Sequence, residues 1–271
     1  MGQWEFGLVE LATDLDTTAA GEVGSQAEVL IPRSITPERP AHSIFLGAGS
    51  PPTLRRDATK TSVRVPDPNA AATAVTVLAA SRLAALREAE GVLTFHAAAV
   101  ATSAGAVLLT GPPMAGKTSV ALEMERRLGW RIVSTNVTCV RASTGELTAG
   151  TARLTVRGQP GDRFRLVSQG IRLLPSAPVR VVAIADVMPG PSPLWADDHN
   201  DAAITVHRHA AEWPRMVTAL TGDLVDTGLD IQETAAYRWA LVQTLIDRVR
   251  CVRLSGPAAE IAEWLGEQAA F

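Results

Sequence analysis

The chain has 271 residues, long enough for one large or two small domains with a buried core. Hydrophobic residues make up 46% and charged residues 20%, as in an ordinary globular protein. The formal net charge of −3 and the lack of a basic run give no electrostatic reason to expect nucleic acid as a partner.

The first 90 residues are predicted to form a β-rich layer followed by a long helix. Strand patterns cover residues 4–11, 27–31, 42–46 and 62–65. Asp67-Pro68 is typical of a helix N-terminus, and an alanine-rich apolar stripe over residues 69–90 indicates the helix. We interpret residues 1–90 as an N-terminal lobe packed on a domain formed by residues 91–271.

The second part of the chain alternates strand and helix patterns. Strands are predicted at residues 92–100, 106–110, 132–134, 137–141, 152–157, 179–186 and 251–254, and helices at 117–128, 231–250 and 257–268. Residues 143–146 indicate a hairpin turn, and residues 194–201 are interpreted as an acidic loop. This order predicts an α/β fold, with a mixed sheet flanked by helices.

Residues 111–118, Gly-Pro-Pro-Met-Ala-Gly-Lys-Thr, match the phosphate-binding pattern G-x-x-x-x-G-K-[ST] between a predicted strand and a predicted helix. Backbone N–H groups of such a loop and the positive end of the helix bind phosphate. The predicted nucleotide-binding residues are Gly111, Pro112, Pro113, Met114, Ala115, Gly116, Lys117, Thr118 and Ser119.

The pattern also predicts the roles of two side chains. Lys117, one of only two lysines in the chain, is expected to reach the β- and γ-phosphates of ATP or GTP. The hydroxyl of Thr118 is expected to be a ligand of Mg²⁺. The pattern does not indicate what happens to the γ-phosphate.

Further candidates lie outside the loop. Asp186 follows an apolar strand, as does the acid that holds Mg²⁺ in many nucleotide-binding proteins; the alternative is an aspartate of a turn. His96 is either a base facing the γ-phosphate or a histidine that braces the loop. Residues 197–201 have the oxygen-rich composition of a metal site, but we interpret them, like residues 207–209, as solvated surface. Arg208 and Arg215 are both candidates for a phosphate contact, and the sequence does not select one of them.

The remaining patterns concern compartment. Cys139 and Cys251 stand alone in strand-like runs, so we expect small buried side chains and no zinc site. Thr, Ser, Gly and Pro interrupt the uncharged stretch 97–116, so no membrane span is expected. The first residues are polar and do not have the pattern of a secretory leader, which favours a cytoplasmic protein.

Residues 92–141 resemble the serine kinase/phosphorylase family that acts on the phosphocarrier protein HPr, and the wider group of P-loop kinases related to phosphoenolpyruvate carboxykinase. Residues 95–101, FHAAAVA, are similar to the family's F/L-H-A-S-A-V-A strand. Residues 107–119, VLLTGPPMAGKTS, are similar to V-L-L-x-G-P-S-G-A-G-K-S-T, and residues 129–137, GWRIVSTNV, stand in place of G-x-R-L-V-A-D-D-x. The resemblance implies a P-loop kinase core of the HPr-kinase type and a homo-oligomer.

The chain departs from the family where acids are expected. The resemblance implies a general base and a metal-linked carboxylate at positions that Thr135 and Asn136 occupy here. Threonine cannot accept a proton at neutral pH, and asparagine offers Mg²⁺ only an uncharged carbonyl. Thr155 stands where a metal-binding glutamate of the family is expected.

Two functions follow as hypotheses. The first is an ATP-dependent phosphotransferase acting on a hydroxyl of a small molecule or a peptide serine, with Asp186 assisting the metal and His96 or Asn136 orienting the acceptor. The second is a degenerate kinase that binds nucleotide as a regulatory or scaffold protein without transfer. A hydrolytic ATPase is a third interpretation, and carboxykinase activity is not expected in so short a chain.

Overall fold

The computed structural model describes residues 2–6, 8–13, 20–21, 23–24, 27, 30–34, 39–50, 53–151, 154–156, 165–167, 178–188, 194–197, 199–214, 217–219, 224–226 and 232–268. Within these residues the chain is a mixed α/β protein with several sheets and five helices, which confirms the predicted fold class at that level. No helix in the described part combines the length and the apolar character that crossing a membrane requires.

The N-terminal part forms a sheet of five strands, in the order β1-β2-β4-β6-β5. The strands of this part are β1 (Gly2–Phe6), β2 (Val9–Thr13), β3 (Arg33–Ser34), β4 (His42–Ala48), β5 (Thr53–Arg56) and β6 (Lys60–Val65). The single strand predicted at residues 4–11 is wrong, because β1 and β2 form an antiparallel hairpin with Leu8 in its turn. A strand pattern shows which side chains alternate but not where the chain reverses.

The strand predicted at residues 27–31 is also wrong. Ala27 and Leu30 are helical, and Val23, Ala27 and Ile31 are buried at a spacing of four residues, which is the period of a helix rather than a strand. The long helix α1 (Pro68–Ala89) matches its prediction to within one residue at each end. Its buried residues share a hydrophobic core with those of β2, β4 and β6.

The rest of the described chain contains the elements around the candidate site. In chain order they are β7 (Val92–Phe95), β8 (Ala98–Ala101), β9 (Ala106–Thr110), α2 (Lys117–Leu128), β10 (Arg131–Ser134), β11 (Thr138–Arg141), β12 (Leu147–Gly150), β13 (Leu154–Val156), β14 (Arg165–Val167), β15 (Val179–Val187), β16 (Leu194–Asp197), α3 (His199–Ala210), β17 (Val217–Ala219), β18 (Leu224–Asp226), α4 (Gln232–Ile246), β19 (Arg250–Gly256) and α5 (Ala258–Gln268).

The central sheet has the order β10-β8-β9-β15-β19-β16, in which the neighbours β9, β15 and β19 pair in parallel and the other neighbours pair antiparallel. A second, antiparallel sheet has the order β3-β12-β11-β7. The strand predicted at residues 92–100 is therefore two strands in two sheets. The chain passes from one sheet to the other at His96 and Ala97.

Helices cover both faces of the central sheet. Helices α2 and α5 share one core with alternate residues of β9, β15 and β19, and α3 and α4 share the other core with the intervening residues. The acidic loop predicted at residues 194–201 is wrong, because β16 and the start of α3 occupy it. Buried Ala202, Ala203, Val206 and Ala210 give α3 its apolar face.

Candidate functional site

The phosphate loop, residues 111–118, lies at the carboxyl ends of the parallel strands, where open α/β sheets bind ligands. Gly111 and Gly116 have φ angles of 148° and 80°, which favour glycine. A Cβ atom on Gly111 would lie 2.6 Å from the Ala185 carbonyl oxygen, and one on Gly116 would lie 2.4 Å from Val187 Cβ. Both glycines therefore let the loop pack directly against the end of β15.

Helix α2 begins at the end of the loop, as predicted. Gly116 is the N-cap of α2 and has no side chain that could cap the first turn. The backbone N–H groups of that turn are therefore left for a ligand. The Val187 N–H donates to the Ala115 carbonyl at 2.9 Å, which ties the loop to β15. Met114 forms the tip, with φ 71° and 70% of its side chain exposed.

Lys117 is folded back over the loop. Its Nζ donates to the carbonyl oxygens of Gly111 and Pro112, each at 2.9 Å, and only 8% of the residue is exposed. Burial lowers the pKa of Lys117, while the negative charge of Glu212 acts in the opposite direction. The ammonium group is thus held at the loop and lies within electrostatic reach of a carboxylate.

Thr118 and Asp186 flank the loop with oxygen donors. Thr118 is half-buried in the first turn of α2, Ser119 is exposed beside it, and Asp186 is exposed next to Val187. A hydroxyl and a carboxylate fit Mg²⁺, which is usually held by few protein oxygens together with water and phosphate. Thr118 and Asp186 would hold this ion. Among the residues that the structure describes, no group of three or more His, Cys, Asp and Glu is arranged for a metal.

The structure places Thr135 in a buried position. Only 2% of Thr135 is exposed, its hydroxyl lies 3.3 Å from both the carbonyl and the hydroxyl oxygen of Thr151, and its N–H donates to that carbonyl at 3.2 Å. Asn136, its neighbour in the turn between β10 and β11, is half-buried. Thr155 lies in β13. The Thr135 hydroxyl is therefore engaged within the protein rather than presented to a ligand.

A carboxylate that the sequence analysis does not single out lies between two histidines. Glu212 Oε1 lies 2.8 Å from His209 Nδ1, and Glu212 Oε2 lies 3.4 Å from His96 Nδ1. Burial raises the pKa of Glu212, but hydrogen bonding to His209 and to His96 outweighs burial and lowers that pKa to about 2. We name His96, His209 and Glu212 the Glu212 cluster, and its carboxylate is ionised at neutral pH.

The turn after α3 fixes the position of Glu212. Ala211 and Trp213 on either side are buried, and the Ala211 N–H donates to the His207 carbonyl at 2.9 Å. The prediction of a solvated surface at residues 207–209 is wrong for His209, which is 5% exposed. The signal for this site is the His209-x-x-Glu212 spacing, which brings both side chains together across one helical turn.

The remaining candidates from the sequence differ in their burial. Arg208 is exposed, as predicted, and Arg215 lies outside the described residues. His207 is half-buried with its ring edge toward Trp239, at a centroid distance of 5.4 Å. Cys139 and Cys251 are both buried, which confirms the expectation of small buried side chains at these two positions.

Comparison with solved structures gives distant likenesses, one of which is to a kinase/phosphatase. No protein-family model matches the chain, and none of the curated proteins matches its sequence. A solved structure described as the Hpr(Ser) kinase/phosphatase from Coxiella burnetii aligns over 65% of this chain and 93% of that chain, with a TM-score of 0.34 and 11% identity. The relationship between the two structures is distant.

Proposed function

We propose that the chain binds a nucleoside triphosphate with Mg²⁺ through the phosphate loop and transfers the γ-phosphoryl group to a hydroxyl of a small molecule or a peptide serine. One observation supports this most directly: the glycine loop packs on the carboxyl ends of parallel strands, with Lys117 over it and an uncapped helix N-terminus behind it. The fold that we propose is a P-loop kinase core of the HPr-kinase type, in a cytoplasmic homo-oligomer.

Each part of the loop has a distinct task in this proposal. The backbone N–H groups of Met114, Gly116 and Lys117 receive the phosphate oxygens, and the Lys117 ammonium exchanges the two loop carbonyls for the β- and γ-phosphates. Mg²⁺, held by Thr118 and Asp186, supplies positive charge that neutralises the triphosphate. Transfer of this kind depends mostly on positioning and charge, so a built loop is the main requirement.

A second function, nucleotide binding without transfer, is favoured by the positions of Thr135 and Asn136. Both lack the charge of the acids that the resemblance implies there, and Thr135 is bound to Thr151 in the core. In this alternative the loop is retained as a sensor or scaffold for nucleotide. Both functions require the chain to bind nucleotide, and only the first includes phosphoryl transfer.

The replacement Lys117→Ala tests nucleotide binding by the phosphate loop, which both functions require. We expect the affinity for Mg-ATP to fall at least tenfold, about 1.4 kcal/mol, because the ammonium contact with the phosphates is lost. The chain offers a matched control in Lys60→Ala, which removes the other lysine from an exposed position in β6. Titration calorimetry on the three proteins, with circular dichroism to verify folding, makes the measurement. Equal affinities for wild type and Lys117→Ala would remove the assignment of the phosphate loop.

A transfer assay separates the two functions. Wild-type protein is incubated with Mg-ATP labelled at the γ-phosphate and a panel of nucleosides, sugars, hydroxy-amino acids and serine peptides. Label on an acceptor establishes the phosphotransferase. Binding of Mg-ATP with no label on any acceptor and no released phosphate establishes the second function.

A further inference from the structure

The Glu212 cluster contains an ionised carboxylate to which neither the phosphate loop nor the proposed metal site assigns a role. Its carboxylate is 28% exposed, so it reaches solvent, while both of its oxygens face an imidazole nitrogen. A carboxylate can only accept, so the nearby Nδ1 atom of His209 must donate. Two ring nitrogens therefore orient the carboxylate and leave it further lone pairs.

The Glu212 carboxylate lies on the side of the phosphate loop where the γ-phosphate is expected. Lys117 is the group expected at the β- and γ-phosphates, and its ammonium lies within electrostatic reach of Glu212. On β15, residues 182, 184 and 186 share one face, and Val182 of that face packs in the core that α3 helps to form. Glu212 follows α3, so Asp186 and Glu212 approach the loop from the same side of the sheet.

We propose that Glu212 is the catalytic carboxylate that receives the proton of the acceptor hydroxyl, in place of the acid absent at Thr135. This inference rests on the proposed phosphotransferase function. His96 and His209 are positioning residues that hold the carboxylate toward the acceptor. His209 is buried, whereas His96 has 32% of its side chain exposed and leads toward solvent.

The step balances as follows. The acceptor oxygen forms a bond to the γ-phosphorus, and the bond from that phosphorus to the bridging β,γ-oxygen breaks. The electron pair of the broken bond leaves on the nucleoside diphosphate. The hydroxyl proton passes to a carboxylate oxygen of Glu212 and from there to solvent, which the partly exposed side chain reaches, and this restores the carboxylate.

The replacement Glu212→Gln tests the proposal in the full chain, with Mg-ATP as the phosphoryl donor and water as the acceptor. We expect kcat to fall at least about 100-fold, as for the loss of a general base, and KM to stay within about threefold. Glu267→Gln is the matched control, since Glu267 is exposed in α5, next to Gln268, which binds Arg250 at the opposite end of β19 from the loop. The control should leave both constants unchanged.

A second variant separates chemistry from folding. Glu212→Asp keeps the charge but withdraws it by one methylene, so we expect an intermediate kcat with an unchanged circular dichroism spectrum. Wild-type hydrolysis together with an unchanged kcat in Glu212→Gln would overturn the role of Glu212 and leave the proposed function standing. Wild-type protein that binds Mg-ATP but transfers phosphate neither to water nor to any acceptor of the panel would overturn both the role of Glu212 and the proposed transfer. Wild-type protein that binds no Mg-ATP would remove the proposed function itself.

Discussion

Burial and neighbouring groups shift the pKa values of Lys117 and Glu212 in opposite directions. Burial favours the neutral form of each, lowering the pKa of the lysine and raising that of the glutamate. The charge of Glu212 counters burial at Lys117, and His209 and His96 counter it at Glu212. The site therefore keeps an ammonium and a carboxylate in a partly desolvated space, where their interactions with a substrate are stronger than in water.

The lowered pKa of Glu212 predicts an acid-dependent stability. Its value is about 2 in the folded protein against an ordinary 4.5, so the ionised carboxylate stabilises the fold above about pH 4.5. This contribution is lost as the pH falls through about 2. In urea unfolding at several pH values, the stability of wild type relative to Glu212→Gln should decrease steadily from about pH 5 toward pH 2. A difference that is independent of pH over this range would contradict the assignment.

The phosphate loop depends on its fit to the end of β15. Gly116 combines a left-handed φ with direct contact to Val187, while Gly129 at the other end of α2 has a similar φ of 69° and open space around it. The two glycines therefore separate backbone strain from steric contact within one helix. Strain alone costs about 1 kcal/mol when a side chain is added at such a φ.

Gly116→Ala is expected to displace the loop from β15. A Cβ atom at 2.4 Å from Val187 forces a movement, so Mg-ATP affinity should fall at least tenfold, about 1.4 kcal/mol, in titration calorimetry. Gly129→Ala should lower the free energy of unfolding by about 1 kcal/mol and leave the affinity unchanged. Adding Val187→Gly to Gly116→Ala removes the Cβ atom that the new side chain meets and should restore part of the binding. Equal affinities of the two single variants would show that contact with β15 does not position the loop.

The sequence predicts most accurately those strands and helices whose ends are marked by neighbouring glycines. The strand Ala106–Thr110 and the helix Lys117–Leu128 have their predicted bounds, because glycines at 111, 116 and 129 mark each end. The helix α3 was missed, because polar residues 197–201 dominate the segment and its alanines give a weak periodic signal. With α3 missed, Glu212 could not be placed beside His96, a contact between residues far apart in the chain.

At the scale of the whole molecule, buried contacts join the N-terminal part to the rest of the chain. Arg238 of α4 and Glu88 of α1 form an ion pair with Nε and Oε2 2.6 Å apart, and Arg238 is fully buried. Arg87 donates to Cys139 Sγ at 3.1 Å. Trp213, beside Glu212, lies in the hydrophobic core of the N-terminal part. Neither charge nor periodicity in the sequence reveals these contacts between residues 1–90 and residues 91–271.

A shortened chain of residues 91–271 is expected not to fold cooperatively. Without Glu88, Arg238 loses the carboxylate of its buried ion pair, at a cost of about 3–5 kcal/mol, a large part of an ordinary domain's stability of about 5–15 kcal/mol. Trp213 also loses the core that covers it. Thermal unfolding followed by circular dichroism and tryptophan fluorescence compares the shortened and full chains. A single sharp transition at the midpoint of the full chain would instead establish residues 91–271 as an independent domain.

The two bonds from Lys117 to its own loop make ligand binding an exchange. An incoming anion has to displace the Gly111 and Pro112 carbonyls before the ammonium can bind it. An anion that accepts hydrogen bonds only weakly therefore does not displace them. Inorganic phosphate and sulfate face the same threshold with fewer contacts than a triphosphate. The bonds of Lys117 to its own loop therefore make the loop selective for polyphosphate over simple anions.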